Sequence, residues 1–335
     1  MKFKLTLDAT PSNLQIGYQD KMLLIGSCFT ENMGAKMQKH LFVVKENPHG
    51  ILFNPVSVCN ALKDYMQCKQ YKQEDLFELN ELFNSWHHHS RFSDSTASAA
   101  LNKINTSIQE THQYLKEAKH LVITLGSAWL YCLTALAVGQ QGLVVANNHK
   151  APANWFEKRL MEAAELKSLL QSTIEDLQKF NPQLTIIFTV SPVRHLREGL
   201  VENNRSKAVL IQAVHDTIAA TKATYYFPAY EYVIDDLRDY RFYAEDLVHP
   251  NYAATQYVWE KWVETFYDPL TQQIMKQVAE LQLAIQHKPF NKQSKAHQSF
   301  IQNALSKAQD LYKSYPYLNL QESIAFFSGE LVNNA

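Results

Sequence analysis

Short apolar runs alternate with stretches of helical periodicity along most of this chain. Residues 22–25 are uniformly apolar and end at Gly26, which reads as a short buried strand. Residues 28–40 follow with Phe29, Met33 and Met37 on one helical stripe. A second strand is predicted at 41–44, and Asn47-Pro48-His49-Gly50 reads as a turn. Asn54-Pro55 opens a helix to about Met66, with Asn54 as its cap and Pro55 at its first position. Residues 84–95 read as an exposed loop or hairpin, and 97–118 as a helix. Residues 120–125 form a strong central strand ending in Gly126-Ser127. The alternation across 129–146, with Gly139 and Gly142, suggests a hairpin. A helix over 156–179, a strand over 185–190 ending in Ser191-Pro192, a helix over 204–222, a strand over 224–227 and a helix over 251–267 complete the series.

Strands that alternate with long helices predict an α/β fold with a central parallel sheet covered on both faces. Residues 1–20 read as a loose lead-in. Residues 268–335 are polar and helical with no strand signal, so the expected organisation is one α/β domain over 1–267 and a C-terminal helical extension over 268–335. No internal repeat or low-complexity segment is evident.

Composition narrows the functional classes. Of 335 residues, 46% are hydrophobic and 19% charged, enough apolar material for a full core. The formal net charge of −1 gives no electrostatic case for nucleic acid or for an anionic membrane. No apolar run reaches the roughly 18 residues of a membrane span. The N-terminal residues lack the apolar segment of a signal peptide. Cys28, Cys59, Cys68 and Cys132 form no regular framework, which reads as reduced thiols in the cytoplasm. Only nine residues are glycine, so Gly26, Gly50 and Gly126, each at an expected strand end, draw notice.

The chemistry concentrates at two places. Ser27 follows a strand and opens a helix, where its hydroxyl would lie beside free backbone N–H groups and the positive end of the helix dipole. Such a serine becomes a nucleophile when a base takes its proton, and otherwise caps the helix. Cys28 is the rival nucleophile next door, with Ser27 favoured by the turn position. Far along the chain, Asp246-Leu247-Val248-His249 lets a carboxylate fold back on an imidazole, fixing its tautomer. Together these read as a split Ser-His-Asp triad of Ser27, His249 and Asp246.

Gly26-Ser27-Cys28-Phe29-Thr30 resembles the signature of the GSCFA domain family, whose members resemble the SGNH (GDSL-type) hydrolases; Thr30 stands where the family has alanine. Asn54-Pro55, Thr124 to Ser127, Ser191 to His195 and the run from Tyr226 to Pro250 extend the resemblance over roughly residues 20–265. It implies a flavodoxin-like three-layer α/β/α sandwich with Ser27, Asp246 and His249 as triad. It also implies an oxyanion glycine, for which Gly50 could stand, and an oxyanion asparagine whose place falls at Gly126-Ser127-Ala128. Ala128 cannot donate from its side chain, so Asn54, Ser127 or a backbone N–H would have to substitute, or activity would be weakened.

The expected function is therefore a serine hydrolase of esterase or deacylase type acting on a small polar ester, by analogy an acylated carbohydrate. The alternatives are a non-catalytic glycan- or acyl-binding module on the same fold, or an acyltransferase. Arg194 and His195, after the fourth strand, are candidate substrate-binding residues; Arg194 would clamp an anion or pair with Asp235, Asp236 or Asp239. Asn147-Asn148-His149-Lys150 is a polar cluster that could reach the same edge, though a solvated loop is the favoured reading. His87-His88-His89 does not converge on one ion as an i, i+4 pair does, so no metal and no cofactor are expected. Self-association through residues 268–335 is neither supported nor excluded by the sequence.

Overall fold

The computed structural model describes residues 5–333; the first four residues of the expected lead-in lie outside them. Five strands form the central sheet: β1 (Met22–Gly26), β2 (Val44–Glu46), β5 (His120–Leu125), β8 (Thr185–Val190) and β9 (Thr224–Tyr226). Their spatial order is β2-β1-β5-β8-β9 and every pairing is parallel. The order reverses between β1 and β5, and ligands in open sheets bind at such a switch point, beyond the carboxyl ends of the strands. Helices flank the sheet to give a three-layer α/β sandwich: α1 (Cys28–Lys39), α2 (Pro55–Gln67), α3 (Ala97–Glu117), α4 (Ala163–Phe180), α5 (Leu200–Ala220), a short turn α6 (Ala229–Glu231) and α7 (Tyr252–Phe266).

β1 and β5 are buried along their whole length, as parallel strands covered on both faces should be. α4 shows how the helices attach: Leu166, Leu170, Ile174 and Leu177 recur at helical spacing and all are buried in the main core. Each contributes about 2 kcal/mol through apolar burial. At the start of α2, Asn54 Oδ1 accepts the Ser57 N–H at 2.8 Å, so the cap and the proline at the first helical position are as expected.

Two segments differ from the sequence reading. β3 (Phe77–Leu79) and β4 (Leu82–Asn84) form a hairpin, and the residues after it are not an exposed loop. Trp86 stacks on Phe77 at 3.8 Å, and both Trp86 and His88 are buried. β6 (Trp129–Leu133) takes its full antiparallel partner from β7 (Phe156–Leu160), beyond the expected hairpin of 129–146. The glycine-bearing segment between them also folds back on β6, through a bridge from Cys132 to Val144 and backbone bonds from Gly142 and Val145 to the carbonyls of Leu133 and Tyr131 and from Leu133 to that of Leu143, while Phe156–Leu160 supplies the full partner strand. The helix expected from 156 accordingly starts at Ala163.

The chain divides into two compact units that interleave in sequence. The first, described above, holds Lys21–Gly34 and Val44–Trp259. The second joins Ala9–Asp20 and Ala35–Val43 to residues from Glu260 onward. The lead-in is thus partly structural. Within the second unit, Phe42 stacks on Tyr18 at 4.3 Å and on Tyr267 at 4.7 Å, and the Ile16 N–H donates to the Phe266 carbonyl. α8 (Pro269–Gln286), α9 (Lys295–Ser314) and α10 (Gln321–Asn333) pack together, α8 capped by Asp268 and α9 by Ser294. Among the described residues, no helix is long and apolar enough to cross a membrane.

Candidate active site

The switch point is where β1 hands over to α1. Gly26 has φ +138°, and a Cβ there would lie 2.1 Å from the Thr124 carbonyl oxygen of β5, so only glycine permits this approach. The tight pairing continues one residue further, where the Ser27 N–H donates to the same carbonyl at 3.1 Å. Ser27 is drawn under the turn as a result. It has no exposed surface, and its Oγ makes no hydrogen bond, neither capping α1 nor meeting His249. The expected Ser27–His249 contact is therefore absent. Cys28 is the first residue of α1 and is only half-buried. The backbone N–H groups of Cys28 and Phe29 face its sulfur. Burial raises the thiol above its ordinary range, opposed by those two N–H groups.

The second half of the expected triad is assembled. Asp246 Oδ2 accepts the His249 Nδ1–H at 2.7 Å, while Oδ1 accepts the backbone N–H groups of Val248 and His249 at 2.9 and 3.0 Å. The backbone N–H of His249 and its ring, with the N–H of Val248, hold the Asp246 carboxyl down to about 2. Leu247, inside the turn, takes the left-handed φ of +56° that closes it. Nδ1 faces the carboxylate, and Nε2 makes no hydrogen bond on a half-exposed ring.

Arg194 fixes this loop. Its backbone N–H donates to Val248 O at 3.2 Å and its guanidinium to Leu247 O at 3.0 Å, with the guanidinium lying over the Tyr243 ring at 4.0 Å and over that of Tyr240 at 4.9 Å. Arg194 is thus not paired with Asp235, Asp236 or Asp239. The tentative oxyanion donors are committed elsewhere. The Gly50 N–H donates to Asn47 O at 2.7 Å, and the N–H groups of Gly126 and Ser127 both donate to Phe53 O. Asn54 spends its amide on Val145 O, and Ser127 Oγ bonds Ser206 Oγ and the Trp129 N–H.

Comparison with known proteins places these features. The GSCFA family matches residues 21–262, and the GSCFA domain protein C-terminal domain matches residues 278–333. The chain belongs to the GSCFA family. No curated protein matches it. Solved structures similar to it include a carbohydrate esterase family 3 protein from Talaromyces cellulolyticus, at 7% identity, 78% of this chain, 99% of that one and a TM-score of 0.37. The Clostridium thermocellum family 3 carbohydrate esterase follows at 11% identity, 78% and 98% coverage and 0.35. An acetyl xylan esterase from Butyrivibrio proteoclasticus has 10% identity, 76% and 64% coverage and 0.37.

This GSCFA chain holds a cavity of about 620 Å³, walled by Phe53, Trp129, Tyr131, Phe156, His149 and His195 among others. That volume suits a small-molecule ligand. His195 lines the cavity. Its Nε2 stands 3.2 Å from where a Gly126 Cβ would be, buried and without a hydrogen bond. Burial, with the charges of Lys207 and His249, pushes it down to about 3, so it stays neutral. His149, expected in a solvated loop, is buried, and its Nε2 bonds the Ser85 carbonyl at 2.9 Å.

Two features of the GSCFA fold escaped the sequence reading. One is a buried network in which His49 meets Tyr65 OH at 2.6 Å and Asp64 at 3.4 Å, and Tyr71 OH donates to Asp64 at 2.7 Å. His88 stacks on His49 at 4.2 Å, which is what the histidine run does here; among the described residues no group of three or more His, Cys, Asp or Glu is placed to hold a metal ion. The other is Lys207, a lysine buried on α5. Its signal was available: it lies three residues before Leu210 on the stripe that Ala213, Val214 and Thr217 continue.

Proposed function

We propose that the α/β unit is an ester hydrolase in which His249 is the base, Asp246 orients it, and Cys28, not Ser27, is the nucleophile. The observation that carries this reading is the Asp246–His249 bond, which leaves Nε2 as an unbonded lone pair beyond the carboxyl ends of the strands. The choice of Cys28 rests on access. Ser27 is sealed beneath the turn, whereas Cys28 reaches solvent with two N–H groups facing its sulfur.

In this scheme His249 Nε2 takes the thiol proton and the thiolate attacks the acyl carbon. The N–H groups of Cys28 and Phe29 hold the developing oxyanion, in place of the committed donors of Gly50, Asn54, Gly126 and Ser127. The ester C–O bond breaks, the alcohol leaves with the proton from His249, and a thioester forms. Water, deprotonated by His249, then attacks the thioester carbonyl, and the acid and the thiolate are released. An alcohol in place of water gives acyl transfer with the same residues.

The test is turnover of a p-nitrophenyl ester by the full chain. Cys28→Ala and His249→Ala should abolish it, and Ser27→Ala should retain most of it. Loss in Ser27→Ala with retention in Cys28→Ala would return the nucleophile to Ser27. The committed oxyanion donors favour one second reading, a non-catalytic module that binds an acyl group or glycan on the same fold. That reading expects no turnover in the unaltered protein.

A further inference from the structure

The ribbon of β6 and β7 builds one wall of the 620 Å³ cavity. Side chains two apart on a strand share a face, so Trp129 and Tyr131 on β6 stand beside Phe156 and Lys158 on β7, with Tyr131 directly opposite Lys158. Trp129, Tyr131 and Phe156 are only half-buried, which leaves part of each ring open. More than half of the residues lining the cavity are polar or charged, unlike the mostly apolar pocket of a hydrophobic ligand. One of the charges is already balanced: the Glu198 carboxylate accepts Tyr131 OH at 2.6 Å and the Lys158 ammonium at 2.9 Å. Two cations are left over. Lys150 and Arg197 line the same cavity, both are exposed, and neither forms an ion pair among the described residues. The Arg197 guanidinium stands 5.6 Å from the centre of the Tyr131 ring. The turn that carries Lys150 holds His149 and Lys150 in succession at left-handed φ, +49° and +58°, a backbone that residues other than glycine adopt rarely and that clusters at ligand sites. At the same cavity His195 Nε2 is buried without a hydrogen bond, and a neutral imidazole nitrogen can donate to or accept from a hydroxyl.

We propose that this cavity is a binding site for an acidic sugar, a pyranose ring that carries a carboxylate. Each part of the lining meets one part of such a ligand. The faces of Trp129 and Phe156 carry negative charge and attract the polarised C–H groups of a pyranose face. Lys150 and Arg197 hold the carboxylate through charge-assisted hydrogen bonds. His195 Nε2 and the Asn148 amide, which also lines the cavity, meet the ring hydroxyls. An aromatic acid would satisfy the rings and the cations but would strip water from the remaining polar groups without replacing it. A neutral sugar would leave the two cations uncompensated. The whole chain has a formal net charge of −1, so this positive excess is local to the cavity. Binding of this kind does not require the hydrolase scheme.

The experiment is saturation-transfer NMR of D-glucuronate with the full chain at constant ionic strength, with D-glucose and benzoate as comparisons. Glucuronate should bind with a dissociation constant on the order of a millimolar, as suits a ligand of its size. Glucose, with a hydroxymethyl group in place of the carboxylate, should bind about tenfold more weakly, and so should benzoate, which lacks the hydroxyls. Lys150→Met and Arg197→Met change exposed side chains and so should leave the fold intact. Each should weaken glucuronate about tenfold and leave glucose unchanged. Trp129→Ala should weaken both sugars alike. Glucose bound as tightly as glucuronate, or glucuronate indifferent to both cation variants, overturns the assignment of an acid. Benzoate bound as tightly as glucuronate overturns the assignment of a sugar. No transfer to glucuronate at about 50 mM overturns the site itself. No step reads turnover, so ester hydrolysis that survives Cys28→Ala sinks the hydrolase scheme and leaves the sugar site standing, while a failure to bind glucuronate does the reverse.

Discussion

His249 and His49 each face an aspartate, at 2.7 Å and 3.4 Å, in the same α/β unit. His249 is half-exposed, and only one of its ring nitrogens is engaged. His49 is fully buried, and both of its nitrogens are bonded, to Tyr65 and to Asp64. Asp246 spends its oxygens on its own turn, fixing the imidazole with one ring nitrogen unengaged. Asp64 is met by Tyr71 and lies 3.7 Å from Lys69, closing a network with nothing left over. The pairing of residue types therefore does not mark a site. A free valence at the sheet's carboxyl edge does.

The largest expected effect separates the two pairs by kind. His249→Ala should lower ester turnover on the order of 10⁴-fold. It should leave the thermal midpoint nearly unchanged, because an exposed side chain carries about 0.5 kcal/mol or less. A large fall in stability instead would erase the contrast with His49.

Asp64→Asn should act through stability, costing about 3 kcal/mol in urea unfolding at neutral pH by leaving a buried network unbalanced. Burial alone would raise the Asp64 carboxyl, but the hydrogen bonds from His49 and Tyr71 outweigh it and hold it below the usual range. Its folded state therefore binds the proton less readily than its unfolded state. The stabilisation is complete above the unfolded value of about 3.9 and is lost as pH falls through the lower folded value. The gap between the unaltered protein and Asp64→Asn should narrow as pH drops below about 4. A gap constant with pH would mean the carboxylate charge is not what the network uses. Smallest of the three, Tyr71→Phe should cost about 1 kcal/mol, one hydrogen bond, with turnover unchanged.

Much of this architecture was legible in the chain. The apolar run before Gly26, the Asn54-Pro55 cap and the Asp-x-x-His turn all depend on neighbours in sequence, and local physics is what a sequence exposes. What stayed hidden depends on distant partners. Whether Ser27 or Cys28 meets solvent is decided by the bond from the Ser27 N–H to Thr124, which the residues around position 27 do not announce. β6 takes its full partner strand from Phe156 onward, beyond the nearer segment it also bonds, and the histidine run was buried by Tyr71, Phe92 and His49 from other elements. The bonds that Gly126 and Asn54 make to Phe53 and Val145 depend on distant partners in the same way, while that of Gly50 closes its own turn on Asn47.

The central claim is that Cys28 carries the acyl group and Ser27 does not. The most direct measurement is to mix the full chain with an excess of p-nitrophenyl acetate, quench in acid within the first turnovers, and locate the acetyl group by mass spectrometry. The account predicts a thioester on Cys28, absent in His249→Ala. An acetyl ester on Ser27, with Cys28 unmodified, would contradict it.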